Sequence, residues 1–340
     1  MSSLAITQER RAASARTHAI LRFGCGVTAA FVMCEWMGWY PTFLAPLLAA
    51  TLIGNLPGAL PLKHGLVLIL VQSGGALVAF ALSSLLRESP FILFGAIGLI
   101  LLMSFIILAS GRGFLPILLV LICFSTIPIV VMTEPAQAGA LPQAFIRGII
   151  IAVMIVWLVH AIWPEVAARP APAAPTRTTS PVALAIAGIA IVLPLMLVYL
   201  MYGITDALPV LITTVVLVVN FDPNRSAAQG MAMMFGNFVG GVVALTCHAL
   251  LGLAPSLVTL TGITLVVALF FGERMQASKT AATVGLITFN QAIVMLSLGL
   301  APGPSAPGIW SSRLLQFGVA GAFAVSMMTL ILPRLAPRNR

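Results

Sequence analysis

Two arginines, Arg147 and Arg313, stand inside long apolar stretches in different halves of the chain. Ionisable side chains are costly within a membrane and mark functional sites. A guanidinium group forms paired hydrogen bonds with a carboxylate, so both arginines are predicted to bind an organic anion. The simpler alternative is that each side chain extends to the nearest lipid headgroups and acts as an anchor.

Two acidic residues lie close to apolar stretches on the same predicted side. Glu35 stands among Trp36 and Trp39, and Asp206 begins another apolar stretch. Both are candidates for proton coupling, and Glu35 is also a candidate partner for Arg147. The alternatives are a hydrated carboxylate within an interfacial aromatic belt for Glu35 and a favourable charge at a helix N-terminus for Asp206.

Five further residues are candidates for the transport path and its gate. Pro46 and Gly54 are predicted to interrupt the second apolar stretch of the first half, and Pro209 lies in the short matching stretch of the second half. Interrupted segments at matching places in two halves point to a substrate path, although prolines are also tolerated in membrane helices. Asp222 and Arg225 bracket the turn FDPNR. They are candidates for a cytoplasmic gate, and the simpler alternative is an ion pair within the turn.

Other polar features are assigned to packing. Interhelical hydrogen bonds are expected for the buried amides Gln72, Asn237, Asn290 and Gln291, and close helix packing for the Gly236–Gly240 motif GNFVG. The four cysteines stand singly, without metal-ligand spacing. Since the sequence also contains no catalytic motif, we expect no enzyme activity, no metal and no cofactor.

The composition determines which elements position these residues. Of the 340 residues, 60% are hydrophobic and 7% are charged, with a mean hydropathy of +1.12. Soluble domains contain about 25% charged residues, so soluble enzymes and nucleic-acid-binding proteins are excluded despite the net charge of +9. The chain is predicted to be an all-α polytopic membrane protein.

Apolar stretches of about 20 residues suit membrane spans. Twelve are predicted, at 19–39, 42–60, 64–86, 90–109, 114–132, 143–163, 182–202, 207–221, 227–252, 255–271, 280–299 and 309–332. Placing both termini in the cytoplasm leaves fourteen of the seventeen basic residues on the cytoplasmic side. The expected location is therefore the bacterial inner membrane, with both termini cytoplasmic.

The chain divides into two similar halves. A cytoplasmic tail (1–18) precedes six spans (19–163), and a Pro- and Ala-rich linker (164–181) leads to six more (182–332) and a basic tail (333–340). The offset along the chain that relates Arg147 to Arg313 also superposes Pro57 on Pro223 and Gly74-Gly75 on Gly240-Gly241. Because each half has an even number of spans, two parallel six-helix repeats are predicted, related by an axis along the membrane normal.

These features resemble the fusaric-acid-resistance-like permeases, a group close to the aromatic acid exporters. The matching stretches are Pro57–Gly75 and Asp222–Gly241, each with a Pro-containing loop, a basic residue and a Gly-rich span. The resemblance implies an inner-membrane efflux component that works with a periplasmic adaptor protein and an outer-membrane channel. Typical members have a cytoplasmic domain after each membrane half, whereas this chain has a short linker and a short tail.

The leading hypothesis is a proton-driven secondary-active exporter of small aromatic or amphipathic anions. Its expected partners are the lipid bilayer, the small-molecule substrate, the adaptor and channel, and a second copy of the chain, with no nucleic acid. The alternative is a non-transporting scaffold or assembly subunit of an envelope complex. A weaker alternative is an intramembrane enzyme that acts on lipid.

Overall fold

The computed structural model describes residues 3–56, 58–111, 113–164, 180–203, 208–219, 223–300 and 306–335. Every regular element within these ranges is helical. One short 3₁₀ helix (Pro135–Gln137) accompanies twelve α-helices: α1 Ser3–Met37, α2 Leu44–Asn55, α3 Leu62–Leu85, α4 Pro90–Ala109, α5 Phe114–Thr133, α6 Ala140–Ile162, α7 Pro181–Tyr202, α8 Leu208–Val218, α9 Pro223–Leu253, α10 Leu257–Arg274, α11 Lys279–Leu300 and α12 Ala306–Leu335.

Each predicted span coincides with one helix, which confirms a polytopic all-α chain. Within the described residues, nine helices are long and apolar enough to cross a membrane. The helices at the two second spans, 42–60 and 207–221, are shorter than predicted. Helices α2 and α8 have only 12 and 11 residues, which is about 17 Å at 1.5 Å per residue, against a hydrocarbon core of about 30 Å.

The N-terminal boundary also differs from the expectation. Helix α1 begins at Ser3 and not near residue 19, so most of the predicted tail is helical. At this end of the helix, Arg16 forms a salt bridge of 3.4 Å with Glu273 of α10. The Arg22 side chain donates to the carbonyl of Trp163 at the end of α6 over 3.0 Å. Of the predicted linker, residues 165–179 lie outside the described part of the chain.

The helices form two compact units. The first unit comprises Met1–Leu66, Arg147–Pro172 and Phe235–Ser312, and the second comprises Val67–Ile146, Ala173–Met234 and Arg313–Arg340. Each unit takes segments from both halves of the chain, so the units differ from the predicted domains 19–163 and 182–332. The repeat itself stays a prediction.

The core of the first unit forms around three phenylalanine rings. Phe289 of α11 meets Phe23 of α1 and Phe271 of α10 edge to face, with ring centroids 5.0 and 6.0 Å apart. Such aromatic pairs stabilise a core beyond the area that they bury. Helix α1 packs on α10 and α2, and α11 packs on α10 and α2. This arrangement brings the end of α1, the start of α2 and the end of α11 into one unit.

Glycines allow α9 to approach α11 within the first unit. A Cβ atom on Gly240 would lie 2.7 Å from the carbonyl oxygen of Thr288 and 2.8 Å from the nitrogen of Ala292. A Cβ on Gly236 would lie 2.9 Å from the Ile287 side chain. The packing role predicted for the Gly236–Gly240 motif is confirmed, because any larger side chain would collide with the α11 backbone.

The second unit is built from α4, α5, α7 and α8 with parts of α3, α6, α9 and α12. Helix α4 packs on α7 and α5, and α8 packs on α5 and α7. Gly188 of α7 lies against the ring of Phe105 on α4, where a Cβ would be 3.0 Å from the ring carbons. Small residues at such crossings allow membrane helices to pack closely.

Candidate functional site

The end of α1 positions the candidate acid. Gly38 has a φ of +63°, a left-handed conformation that glycine adopts without strain. Its N–H donates to the Glu35 carbonyl over 3.1 Å, and the Trp39 N–H donates to the Cys34 carbonyl over 3.0 Å. This pair of bonds is the Schellman motif, which ends a helix and turns the chain sharply. The turn places Trp39 next to the last residues of α1 and leads into α2.

A chain of hydrogen bonds joins Glu35 to α11. The Thr42 hydroxyl donates to the Glu35 Oε1 atom over 2.5 Å. The Ser297 Oγ atom on α11 lies 2.6 Å from the same Thr42 oxygen. Thr42 is 0% exposed and Ser297 is 3% exposed, whereas Glu35 is half-buried. All three residues belong to the first unit, so a carboxylate at the end of α1 is linked through two buried hydroxyls to α11.

The candidate cation occupies the same unit. The Arg147 guanidinium carbon lies 5.5 Å from the centroid of the Trp39 ring, a cation–π contact. Arg147 is half-buried, and its Nε atom is buried without a hydrogen-bond partner among the described residues. This one donor is therefore left for water or a ligand, beside an apolar aromatic face.

Glu35 and Arg147 lie at the same end of the first unit, but their side chains do not contact each other as an ion pair. Within the part of the chain that the structure describes, they form no salt bridge, so the predicted pairing of these two side chains is wrong. Glu35 is instead bound by Thr42, and Arg147 lies on Trp39. Because Arg147 contacts Trp39, which is four residues after Glu35, the guanidinium and the carboxyl group lie at the same end of the unit.

The two predicted arginines occupy equivalent helix positions but different units. Arg147 is the eighth residue of α6 and Arg313 the eighth of α12. Each lies about 10 Å along its helix at 1.5 Å per residue, deeper than the roughly 6 Å that the sequence suggests. Arg147 belongs to the first unit and Arg313 to the second. The Arg313 side chain lies outside the described residues.

The predicted interruptions of the second spans are corrected by the structure. Helix α2 runs through both Pro46 and Gly54. Pro46 is its third residue, in the first turn, where a proline costs no hydrogen bond. Gly54 lies near its end, where a Cβ would be 3.1 Å from Met275 and 3.3 Å from Leu286. These residues therefore lie near the two ends of a short helix and do not break a long one, and their role in substrate binding stays a prediction.

The remaining predicted site residues are described in part or not at all. Pro209 is the second residue of α8 and Arg225 the third of α9, and both side chains lie outside the described residues. Asp206 and Asp222 lie outside them altogether. Their assigned roles in coupling and in the cytoplasmic gate stay predictions.

Four buried amides have a different environment from the one expected. Gln72 in the second unit and Asn237 in the first are 1% and 0% exposed, and neither side chain has a hydrogen-bond partner among the described residues. The side-chain oxygens of Asn290 and Gln291 on α11 are likewise buried without a described partner. The predicted interhelical hydrogen bonds are therefore wrong for these atoms. Buried polar groups of this kind require water or a ligand as partner.

Sequence reasoning missed Thr42 and Ser297 as site residues. Each is a single hydroxyl residue among apolar neighbours, 255 residues apart, and neither belongs to a motif. A serine in a membrane helix ordinarily bonds to the carbonyl one turn earlier, so its residue type carries no functional signal. Trp39 appeared only as part of an aromatic belt. Its contact with Arg147 depends on the turn after α1.

Comparison with known proteins covers part of this unit. Residues 19–159 match a family model described as "Protein of unknown function (DUF2955)". The matched segment includes Glu35, Trp39, Thr42 and Arg147, whereas Ser297 lies beyond it. No curated protein and no solved structure matches the chain.

Proposed function

We propose that this protein is a secondary-active exporter of small organic anions, aromatic or amphipathic in character. The observation that carries the proposal is the half-buried Arg147 guanidinium, which lies over the Trp39 ring and leaves its Nε atom without a described partner. A guanidinium is a rigid fork of donors that matches a carboxylate. A neighbouring aromatic ring suits a substrate that is itself aromatic.

Burial makes this arrangement suitable for recognition. A cation in a half-apolar environment attracts an anion more strongly than one in bulk water does, because screening is weaker. The Trp39 ring holds the guanidinium without neutralising its positive charge. A carboxylate partner, by contrast, would neutralise it. The site therefore favours an anionic ligand over a neutral one.

Glu35 is the proposed proton-coupling acid. It lies in the same unit as Arg147, it is half-buried, and its carboxylate accepts a hydrogen bond from the fully buried Thr42. A carboxylate in this environment is suited to bind and release protons as the surroundings change. The proton gradient would then supply the driving force for export.

Helix pairings support the proposal of two related halves. In the first unit α1 packs on α10 and α2 on α11, and in the second α7 packs on α4 and α8 on α5. The pair α1 and α10 thus corresponds to α7 and α4, and the pair α2 and α11 corresponds to α8 and α5, with helix numbers that differ by six. The unit boundaries at 146/147 and 312/313 are separated by the same offset that relates Arg147 to Arg313. Each proposed unit is thus built from helices of both repeats.

The proposed setting is the bacterial inner membrane, with the Arg147 and Glu35 end facing the periplasm. The distribution of basic residues supports this orientation. The resemblance to the fusaric-acid-resistance-like permeases supports an assembly with a periplasmic adaptor and an outer-membrane channel. Substrate delivered at the periplasmic end would then pass directly to the adaptor.

Counterflow in proteoliposomes tests the proposed activity. Vesicles that contain the full chain and unlabelled benzoate should accumulate external labelled benzoate, but not labelled benzamide, which has the same ring without the charge. Arg147→Gln should abolish accumulation, and Arg87→Gln, at an exposed arginine outside the site, should preserve it.

The alternatives give different results in the same vesicles. A scaffold would move neither benzoate nor larger aromatic acids such as naphthoate. An intramembrane enzyme would change the vesicle lipids chemically, which mass spectrometry of the extracted lipid would detect. Either result would contradict the transport proposal.

A further inference from the structure

We propose that Thr42 and Ser297 transmit the protonation state of Glu35 from the end of α1 to α11. This inference rests on the proposed role of Glu35 as the coupling acid. It is carried by the two consecutive hydrogen bonds, of 2.5 and 2.6 Å, that join the three side chains. The middle residue is fully buried and the last nearly so.

The direction of the chain follows from the number of protons available. A hydroxyl group has one proton and so donates one hydrogen bond, whereas an ionised carboxylate only accepts. While Glu35 is charged, Thr42 must donate to it. Thr42 therefore has no proton left for Ser297, and the Ser297 hydroxyl must donate to Thr42.

Protonation of Glu35 reverses both bonds. A hydronium ion transfers a proton to Oε1 and leaves as water, and the new O–H group now donates to the Thr42 oxygen. The Thr42 proton turns towards Ser297, which becomes an acceptor at that contact. The Ser297 proton must then find another acceptor, and the carbonyl of Ile293, one turn earlier in α11, is the usual one for a serine in a helix.

The reversal has a structural consequence for α11. A serine that bonds to the carbonyl one turn earlier weakens and bends its helix. Because Ser297 lies three residues before the end of α11 at Leu300, the effect falls on the last turns of that helix. Burial strengthens the coupling, since hydrogen bonds are stronger where the dielectric constant is low.

Few other titratable groups lie near Glu35, and none of them takes part in the hydrogen bonds that join Glu35, Thr42 and Ser297. The groups at the same end of the unit are Arg147 on α6, Cys34 on α1 and the exposed Tyr40 in the turn. Helix α2 contains no titratable residue. Away from this end lie His18, Arg22 and Cys25 on α1, residue Lys279 at the start of α11, and Glu273 and Arg274 at the end of α10 that contacts Arg16. Cys247 and His248 lie near the end of α9 that precedes α10. The variant Glu35→Gln therefore distinguishes a signal that originates at Glu35 from one that originates at His248.

The test measures the protonation of Glu35 and the hydrogen exchange of α11 separately. It uses the full-length protein in lipid nanodiscs without substrate. Infrared spectroscopy across a pH titration measures protonation of Glu35, as the carboxyl band that is lost in Glu35→Gln. Hydrogen exchange, corrected for its intrinsic pH dependence, measures the last turns of α11. In the parent protein the Glu35 carboxyl band and the exchange rate of α11 should change over the same pH range. The exchange rate should change about threefold to tenfold, because that is the effect of one hydrogen bond.

Variants of the hydroxyls decide the outcome. In Thr42→Val and in Ser297→Ala the Glu35 band should still titrate while the change in α11 exchange is lost, and Thr42→Ser should restore it. Thr51→Val is the matched control, because the Thr51 hydroxyl bonds only within its own helix, to the Leu47 carbonyl. It should behave like the parent.

Two results would overturn the inference: α11 exchange that ignores the Glu35 titration in the parent, or exchange that still follows it in Thr42→Val. Since no substrate is present, the measurement is independent of export. Failure of benzoate counterflow with intact coupling would reject the proposed function alone. Intact counterflow without coupling would reject this inference alone.

Discussion

The Arg147 guanidinium lies 5.5 Å from the centroid of the Trp39 ring, on the turn that follows α1. This contact holds a cation in place by an aromatic face and not by a carboxylate. The buried Nε atom has no described partner. Under the proposed function a ligand carboxylate is the partner of this donor, and substitutions at the cation and at the ring should change ligand affinity separately.

Arg147→Lys should weaken binding of an aromatic carboxylate while leaving membrane insertion intact. Lysine keeps the positive charge but lacks the planar fork. Loss of one charge-assisted hydrogen bond costs about 1.5–3 kcal/mol, or roughly tenfold to a hundredfold in affinity. The measurement is the apparent affinity for benzoate in counterflow, at matched protein levels.

The same substitution at Arg313 and at both arginines completes the series. Arg87→Lys, at an exposed arginine, is the control and should have no effect. Export at the parental rate by the double variant Arg147→Lys with Arg313→Lys would mean that both side chains are membrane anchors.

Trp39→Leu should lower benzoate affinity by a smaller factor, because the cation–π contact that holds the guanidinium is lost. A contribution of about 0.5–2 kcal/mol corresponds to roughly twofold to thirtyfold. Trp39→Phe should retain part of the affinity, since a smaller aromatic face remains. Trp36→Leu is the control, because Trp36 is 70% exposed. Equal effects of the changes at Trp36 and Trp39 would assign both rings to the interfacial belt.

Gly240→Ala should destabilise the protein by about 1–3 kcal/mol, the usual cost of overpacking. The added methyl group would lie 2.7 Å from the Thr288 carbonyl oxygen, so α9 and α11 must separate. Gly252→Ala in the same helix is the control, because a Cβ there meets nothing within 4 Å. Thermal unfolding in detergent measures the difference. Equal melting temperatures for the two variants would contradict the described packing.

A reporter that is active only in the cytoplasm should be active when fused after Arg340 and when inserted near Thr176. Both positions follow from the distribution of basic residues, which favours cytoplasmic termini and a cytoplasmic linker. Periplasmic activity at either position would contradict the twelve-span topology. Insertion after Glu88, in the loop predicted to face the periplasm, provides the negative control.

The positions of the helices were predictable from hydropathy, because long apolar segments must form helices in a bilayer to satisfy their own backbone groups. The lengths of α2 and α8 were not. The apolar stretch at 42–60 has the same hydropathy whether its last residues continue a helix or form a loop. Helix α2 ends at Asn55, and Leu56 is extended.

Composition and local periodicity were enough to establish an all-helical membrane protein and to mark Arg147 and Glu35 as costly charges within apolar segments. Both properties can be read from neighbouring residues along the chain. Which groups meet these charges is a matter of packing: Trp39 for Arg147, and Thr42 with Ser297 for Glu35. Thr42 and Ser297 are 255 residues apart. Their contact depends on how α1, α2 and α11 pack together. The spacing of residues along one chain does not determine that packing.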